Sequence, residues 1–236
     1  MRRFASVFAF SLLVSSAAVA MAAEAPAPFS EPNLKLPKDS GGLVNSKLIS
    51  DAPLPSDFSM GKKTAQLNLI EYASLSCTHC AHFSAKVLPD LQKKYIETGK
   101  VRYIMRPFPL NEPALKGAML LDCLGEQDGS KYYTFARVLF DAQNKWAFDS
   151  NFLTNLETIA AVGGVSKEQF AGCTNSTDRE SKLLKAQKLA KEEIKIPHTP
   201  YIIIGNEIYA GERSPEAIGA FIDKKLAELP KKKAAE

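Results

Sequence analysis

A cysteine pair spaced C-x-x-C, Cys77 and Cys80 in "SLSCTHCAHF", stands between two runs of different period. Before it, residues 66–73 read "QLNLIEYA", apolar with little interruption, the pattern of a strand buried on both faces. After it, residues 78–97 predict a helix with Phe83, Val87, Leu88 and Leu91 on its apolar face, a kink at Pro89 and an end at Gly99. The segment "VRYIMRPF", 101–108, then reads as a second strand. Strand, helix, strand in this order favours a parallel pair joined by a right-handed crossover. The chain is therefore committed to an α/β unit with two thiols at the start of its first helix.

Cys77, His79, Cys80 and His82 crowd six positions of a chain with only four cysteines and three histidines. Haem attachment requires a histidine directly after the second cysteine, and residue 81 is Ala. A zinc site has the right ligand types, but His79 and Cys80 are adjacent, Cys80 and His82 point apart, and no second Cys/His cluster exists to close a tetrahedron. No metal is expected. What remains is a dithiol at a helix N-terminus, where unpaired N–H groups and the positive end of the helix dipole stabilise a thiolate. Cys77 is the expected nucleophile, and Cys80, one turn further in and more buried, the resolving thiol. His79, between them, adds positive charge or a hydrogen bond. Such a thiolate favours the reduced form and makes the disulfide form a strong oxidant. The alternative is an inert structural disulfide, although so short a loop constrains an unfolded chain little.

The N-terminus "MRRFASVFAFSLLVSSAAVAMA" has two arginines, a short apolar run and A-x-A sites at Ala20 or Ala22. It is expected to be a cleaved signal peptide over 1–22, too short to span a bilayer. The first cysteine of the chain is Cys77, so no lipid attachment point lies at the cleavage site. Export places the protein where disulfides persist. With 30 basic and 26 acidic residues, two of the basic ones in the signal, no general attraction to nucleic acid or membrane is implied. Roughly 210 mature residues suffice for a sizeable core.

Residues 23–64, rich in Pro, Gly and Ser, suggest a flexible leader, with order beginning near "LVNSKLIS". Residues 65–112 form the first part of the α/β unit. Residues 113–195 read as an all-helical insertion, with capping-box spacing at Ser166/Gln169 and Thr177/Glu180 and a 3-4-4 stripe of Leu183, Ala186, Ala190 and Ile194. Residues 196–229 complete the unit: "YIIIGNEIYAG" signals a hairpin at Gly205-Asn206, and Ser214-Pro215 opens a last helix. Residues 230–236 are a solvated basic tail.

"CTHC" after "LIEYAS", the segment "KVRYIMRPFPLNEPAL" and "PHTPYIIIGNEIYAG" together resemble the DsbA-like thiol-disulfide oxidoreductases of the bacterial periplasm, over roughly residues 65 to 229. The resemblance implies a thioredoxin-like fold, a central mixed β-sheet flanked by helices, carrying an inserted all-helical domain. It implies that Pro200 is a cis-proline facing the redox pair, and that Thr199 and Tyr201 flank a groove for an extended substrate segment. It also implies that Glu71, which shares strand parity with Leu67 and Leu69, is a buried acid relaying the proton of Cys80; the alternative is a strand-end glutamate reaching solvent. His198, two before Pro200, either tunes Cys77 or contacts substrate, or does neither. His82 reads as a partly exposed helix position. Cys123 and Cys173, both in the insertion, are natural partners in an oxidising compartment, and some relatives carry such a pair; the alternative is two buried free thiols.

The leading expectation is a dithiol oxidase with no cofactor, acting on reduced or unfolded exported proteins and reoxidised by a DsbB-like quinone-linked membrane protein. A disulfide isomerase or reductase would need the same cysteines kept reduced, and Thr199 before Pro200 keeps that open. A thioredoxin-fold binding module or soft-metal carrier is the rival from another class.

Overall fold

The computed structural model describes residues 53, 54 and 56–230. The expected signal peptide, leader residues 23–52, including "LVNSKLIS", and tail residues 231–236 lie outside the described residues. Among the described residues four strands form one mixed sheet in the order β2-β1-β3-β4. β1 (Leu67–Ala73) is central and all seven of its residues are buried, which explains a run that is apolar but for Asn68 and Glu71. It pairs in parallel with β2 (Val101–Pro107), from Leu67↔Val101 to Ala73↔Pro107. On its other side it pairs antiparallel with β3 (Tyr201–Ile204), which turns at Gly205, φ +64°, into β4 (Glu207–Tyr209).

Between β1 and β2 runs one continuous helix: α1 (Thr78–His82), a π-helical turn (Phe83–Val87), α2 (Leu88–Leu91) and a second π-helical turn (Gln92–Ile96). Pro89 has no N–H to give to the preceding turn, and the helix widens just before it, where the Leu88 N–H bonds to the Phe83 carbonyl. The proline thus follows directly on a change of pitch. Between β2 and β3 come α3 (Glu112–Gln127), α4 (Gly129–Asp141), α5 (Gln143–Trp146), α6 (Phe152–Val162), α7 (Lys167–Thr174) and α8 (Thr177–Glu193); α9 (Pro215–Glu228) closes the chain behind Ser214, whose hydroxyl accepts from the Ala217 N–H. Cys123 of α3 and Cys173 of α7 are joined in a disulfide.

Side-chain alternation divides the core. Leu67, Leu69 and Ala73 of β1, with Tyr103 and Met105 of β2, pack against Phe83, Leu91, Leu120, Tyr132 and Trp146. Ile70, Tyr72 and Ile104 face the opposite side with Ile203, Ala190 and Ile194. Two local expectations shift. The cap of α8 is Ser176, accepting from the Arg179 N–H, so the helix begins at Thr177 itself. Of the 3-4-4 stripe on α8, Leu183, Ala190 and Ile194 are buried, whereas Ala186 is exposed.

A larger difference concerns the expected leader. Residues 56–60 lie along the outer edge of β2. Met60 and Tyr103 exchange both backbone hydrogen bonds, each 2.9 Å. Phe58 stacks on Tyr132 with ring centroids 4.7 Å apart. The Asp57 carboxylate pairs with Arg106 at 2.8 Å, both side chains about 5–6 % exposed. Tyr133 completes the cover, its hydroxyl accepting from the Met105 N–H at 3.2 Å and donating to the Phe58 carbonyl at 2.7 Å. The strap so formed satisfies an edge strand that would otherwise present open backbone groups, and the folded unit starts before residue 65.

Candidate active site

Cys77 is the N-cap of α1, with extended backbone (φ −88°, ψ 118°), and no side chain caps the helix there. The first free N–H groups of the helix are left for its sulfur. Both Cys77 and Cys80 are free thiols, Cys77 9 % exposed and Cys80 fully buried, so only Cys77 offers an approach. The Cys77 thiol lies 3.2 Å from the Thr199 carbonyl, and the Thr199-Pro200 peptide is cis. The redox pair and the 198–201 segment, 122 residues apart in sequence, therefore share one site.

Its electrostatics separate the two sulfurs. The Cys77 thiol is held down to about 5, first by a hydrogen bond from Cys80, against burial, and then by Thr199 and by the backbone N–H groups of Cys80 and His79. The Thr199 hydroxyl is buried and has no hydrogen-bond partner. Cys80 is pushed well up, first by burial and then because its proton already serves Cys77. Glu71 is 2 % exposed on the Cys80 side of β1, and its carboxyl is pushed up to about 8, first by burial; a hydrogen bond from Tyr103 opposes this, the nearby Cys77 adds to it, and Arg213 opposes it. At neutral pH Glu71 is a protonated acid beside the resolving thiol.

The other expected residues are spread around this centre. His79 and His82 are exposed on the helix. His198 is half-buried, its Nδ1 3.2 Å from Arg213 and its ring 6.1 Å from Tyr201; burial, then Arg213, lowers its pKa. Thr199, Pro200 and Tyr201 are all buried; the Thr199 carbonyl faces Cys77, whereas the Tyr201 ring packs with Tyr72 and Ile203 on the other face of the sheet. Cys123 and Cys173 lie in the insertion, bonded to each other and outside this cluster. Among the described residues no group of three or more His, Cys, Asp or Glu is arranged to hold a metal ion.

Several residues near the site carried no sequence signal. Gln143, buried at the start of α5, donates to the carbonyls of Leu75 at 2.8 Å and Cys77 at 3.0 Å, fastening the insertion to the loop that presents the nucleophile. Gly117 of α3 lets that loop settle, since a Cβ there would stand 2.7 Å from Leu75. Ser74 receives the Leu110 N–H at 3.3 Å, which sets Leu110, 56 % exposed, beside the same loop.

A thiol at a helix N-terminus that hydrogen-bonds to the residue preceding a cis-proline, on a sheet of this order, defines a thioredoxin-fold dithiol protein. The comparisons agree: a family model described as Thioredoxin matches residues 54–224. Wolbachia pipientis alpha-DsbA1 is 32 % identical with a TM-score of 0.70, the match covering 75 % of this chain and 94 % of that one. A Rickettsia felis protein named as a protein-disulfide oxidoreductase is 30 % identical over 177 residues, 75 % of this chain and 63 % of its own length. The chain spans a little under two thirds of the length of this relative. BdbD of Bacillus subtilis, at 19 % identity and a TM-score of 0.64, shares the fold. The chain belongs to the thioredoxin family and stands with its DsbA-like members.

Proposed function

We propose that this chain is an exported protein-thiol oxidase that introduces disulfides through Cys77 and Cys80. Starting from the enzyme disulfide, a substrate thiolate attacks Cys77 Sγ, the Sγ–Sγ bond breaks, and its electron pair leaves on Cys80, which takes the proton of Glu71. The substrate's second thiolate then attacks its own sulfur in the mixed disulfide, and the pair leaves on Cys77. Substrate has lost two electrons and gained a disulfide; the enzyme holds a Cys77 thiolate and a Cys80 thiol. A leaving thiol held near pKa 5 departs readily and keeps the reduced form stable.

The asymmetry of the two cysteines, one at the uncapped N-terminus of α1 and 3.2 Å from the carbonyl before the cis-proline, the other fully buried behind it, is the observation that carries this reading. The backbone of the Thr199-Pro200-Tyr201 segment and the exposed side chain of Leu110 are the surface for an extended, unfolded segment. Reduced exported proteins are the substrate class, the periplasm the compartment, and a quinone-linked membrane protein of the DsbB kind the reoxidant. Among the described residues no helix is long and apolar enough to cross a membrane. Thr199 ahead of the cis-proline keeps one second reading open, an isomerase or reductase held in the dithiol state.

The test is oxidation of a reduced, unfolded two-cysteine protein by the purified disulfide form. Stoichiometric transfer that is abolished in Cys77→Ala supports the oxidase; transfer that survives the substitution excludes it.

A further inference from the structure

The phenol of Tyr103 donates a hydrogen bond to Glu71 Oε2, and both side chains are buried, at 1 % and 2 % exposure. Glu71 Oε1, equally buried, has no hydrogen-bond partner. The two oxygens are thus made unequal by one neighbour. Tyr103 is itself unusually well held: its backbone pairs with β1 on one side and with Met60 on the other, and its ring packs on Tyr133 at 5.6 Å. The strap covering β2 therefore bears directly on where this phenol points.

We propose that Tyr103 is a positioning residue of the redox site, fixing Glu71 by one oxygen so that the other exchanges a proton with the Cys80 thiol. The proposal rests on the acid role of Glu71 given above. A buried carboxyl with both oxygens free would rotate and present either face; one anchored by a donor has a single working oxygen. The donor also favours the carboxylate, which offsets part of the burial penalty and keeps the acid able to take the proton back when Cys80 must attack. The step is a simple exchange: Cys80 thiolate plus Glu71 carboxylic acid gives Cys80 thiol plus Glu71 carboxylate, and the reverse during reoxidation. The other titratable groups facing Glu71 are Cys77 and Cys80 from the active-site helix, Tyr132 and Tyr133 from α4, and Arg213 from the loop before α9. Tyr103 alone among them donates to its carboxylate.

The test follows release of glutathione from Cys77 glutathionylated protein, a step that needs the Cys80 thiolate, as a function of pH. Tyr103→Phe keeps the ring and the backbone pairing, and the inflection belonging to Glu71 moves up by about one to two pH units, the size of one hydrogen bond to a charged group. Site-specific 3-fluorotyrosine at 103, a stronger donor in a nearly unchanged ring, moves it down. Neither shift occurs in a Glu71→Gln background. Opposite shifts are beyond a merely structural role. An inflection unmoved by both substitutions, or shifts that persist without Glu71, overturn the proposal. A pH profile in Glu71→Gln that is unchanged from wild type overturns the acid role of Glu71 and the proposal with it. If Tyr103→Phe fails to fold, the fluorotyrosine protein decides.

Discussion

Replacing Glu71 by Gln removes one titrating group from the core, and the expected consequence is a pH-dependent gain in stability. The carboxyl has a folded pKa of about 8 against 4.5 for the free group, a raised value caused first by burial. A raised folded pKa contributes stability that is full below pH 4.5 and is lost as pH rises toward 8. In that window the unfolded chain has released a proton that the folded one keeps, at about 1.4 kcal/mol per pH unit. At pH 7 the interval above 4.5 is 2.5 units, so the penalty carried by the wild type is about 3 kcal/mol. Gln carries none of it and still accepts from Tyr103 through its carbonyl. Its buried amide N–H groups cost about 1–3 kcal/mol, but equally at both pH values. The quantity to read is therefore the difference in unfolding free energy between variant and wild type at pH 7, less the same difference at pH 4. Urea denaturation of both proteins, with the active-site pair reduced by a stoichiometric dithiol, should give about 3 kcal/mol in favour of the variant. Cys77 titrates in both proteins and drops out. A difference that is the same at pH 4 and pH 7 would refute the placement of Glu71 as a buried, protonated acid.

Two further outcomes follow from the site and the insertion. Thiolate absorbance should place the titration of Cys77 near 5, and Cys80→Ala, which removes the first cause of that depression, should raise it by about one unit or more; an unchanged titration would show that the helix N-terminus alone activates the thiol. Converting Cys123 and Cys173 to Ala opens a loop of sequence separation 50 and should cost on the order of 4 kcal/mol in the chain-entropy model, with dithiol oxidation intact; lost activity in a folded variant would tie the bridge to the site.

How much of this was readable in advance depended on the range of the interactions. β1 announced itself because a central strand is apolar on both faces, and the C-x-x-C pair because the helix following it starts at a fixed place. The Gly205 turn carried its signal in two residues. The strap carried none: Asp57 and Gly61 fall in a stretch that reads as loop, and order at Asp57 comes from Arg106, 49 residues later, and at Met60 from the open edge of β2. Ser176 and Thr177 are both competent cap residues, and Ser176 serves. At the site, Cys77, Cys80 and Pro200 were legible from spacing and resemblance. Tyr103 needed the β1–β2 register, which puts it on the Glu71 side of the sheet two residues before the partner of Glu71. Gln143 needed the docking of α5 beneath the Cys77 loop, and Arg213 the approach of the β4–α9 loop to His198. These are contacts between elements, and no local pattern encodes them.

The reduction potential of the Cys77-Cys80 pair tests the central claim most directly. A Cys77 thiolate stabilised at a helix N-terminus by Cys80 and Thr199 lowers the free energy of the dithiol form, and the account predicts a potential near or above roughly −150 mV in equilibrium with glutathione. A value near about −270 mV, as for a thioredoxin-like reductant, would contradict it.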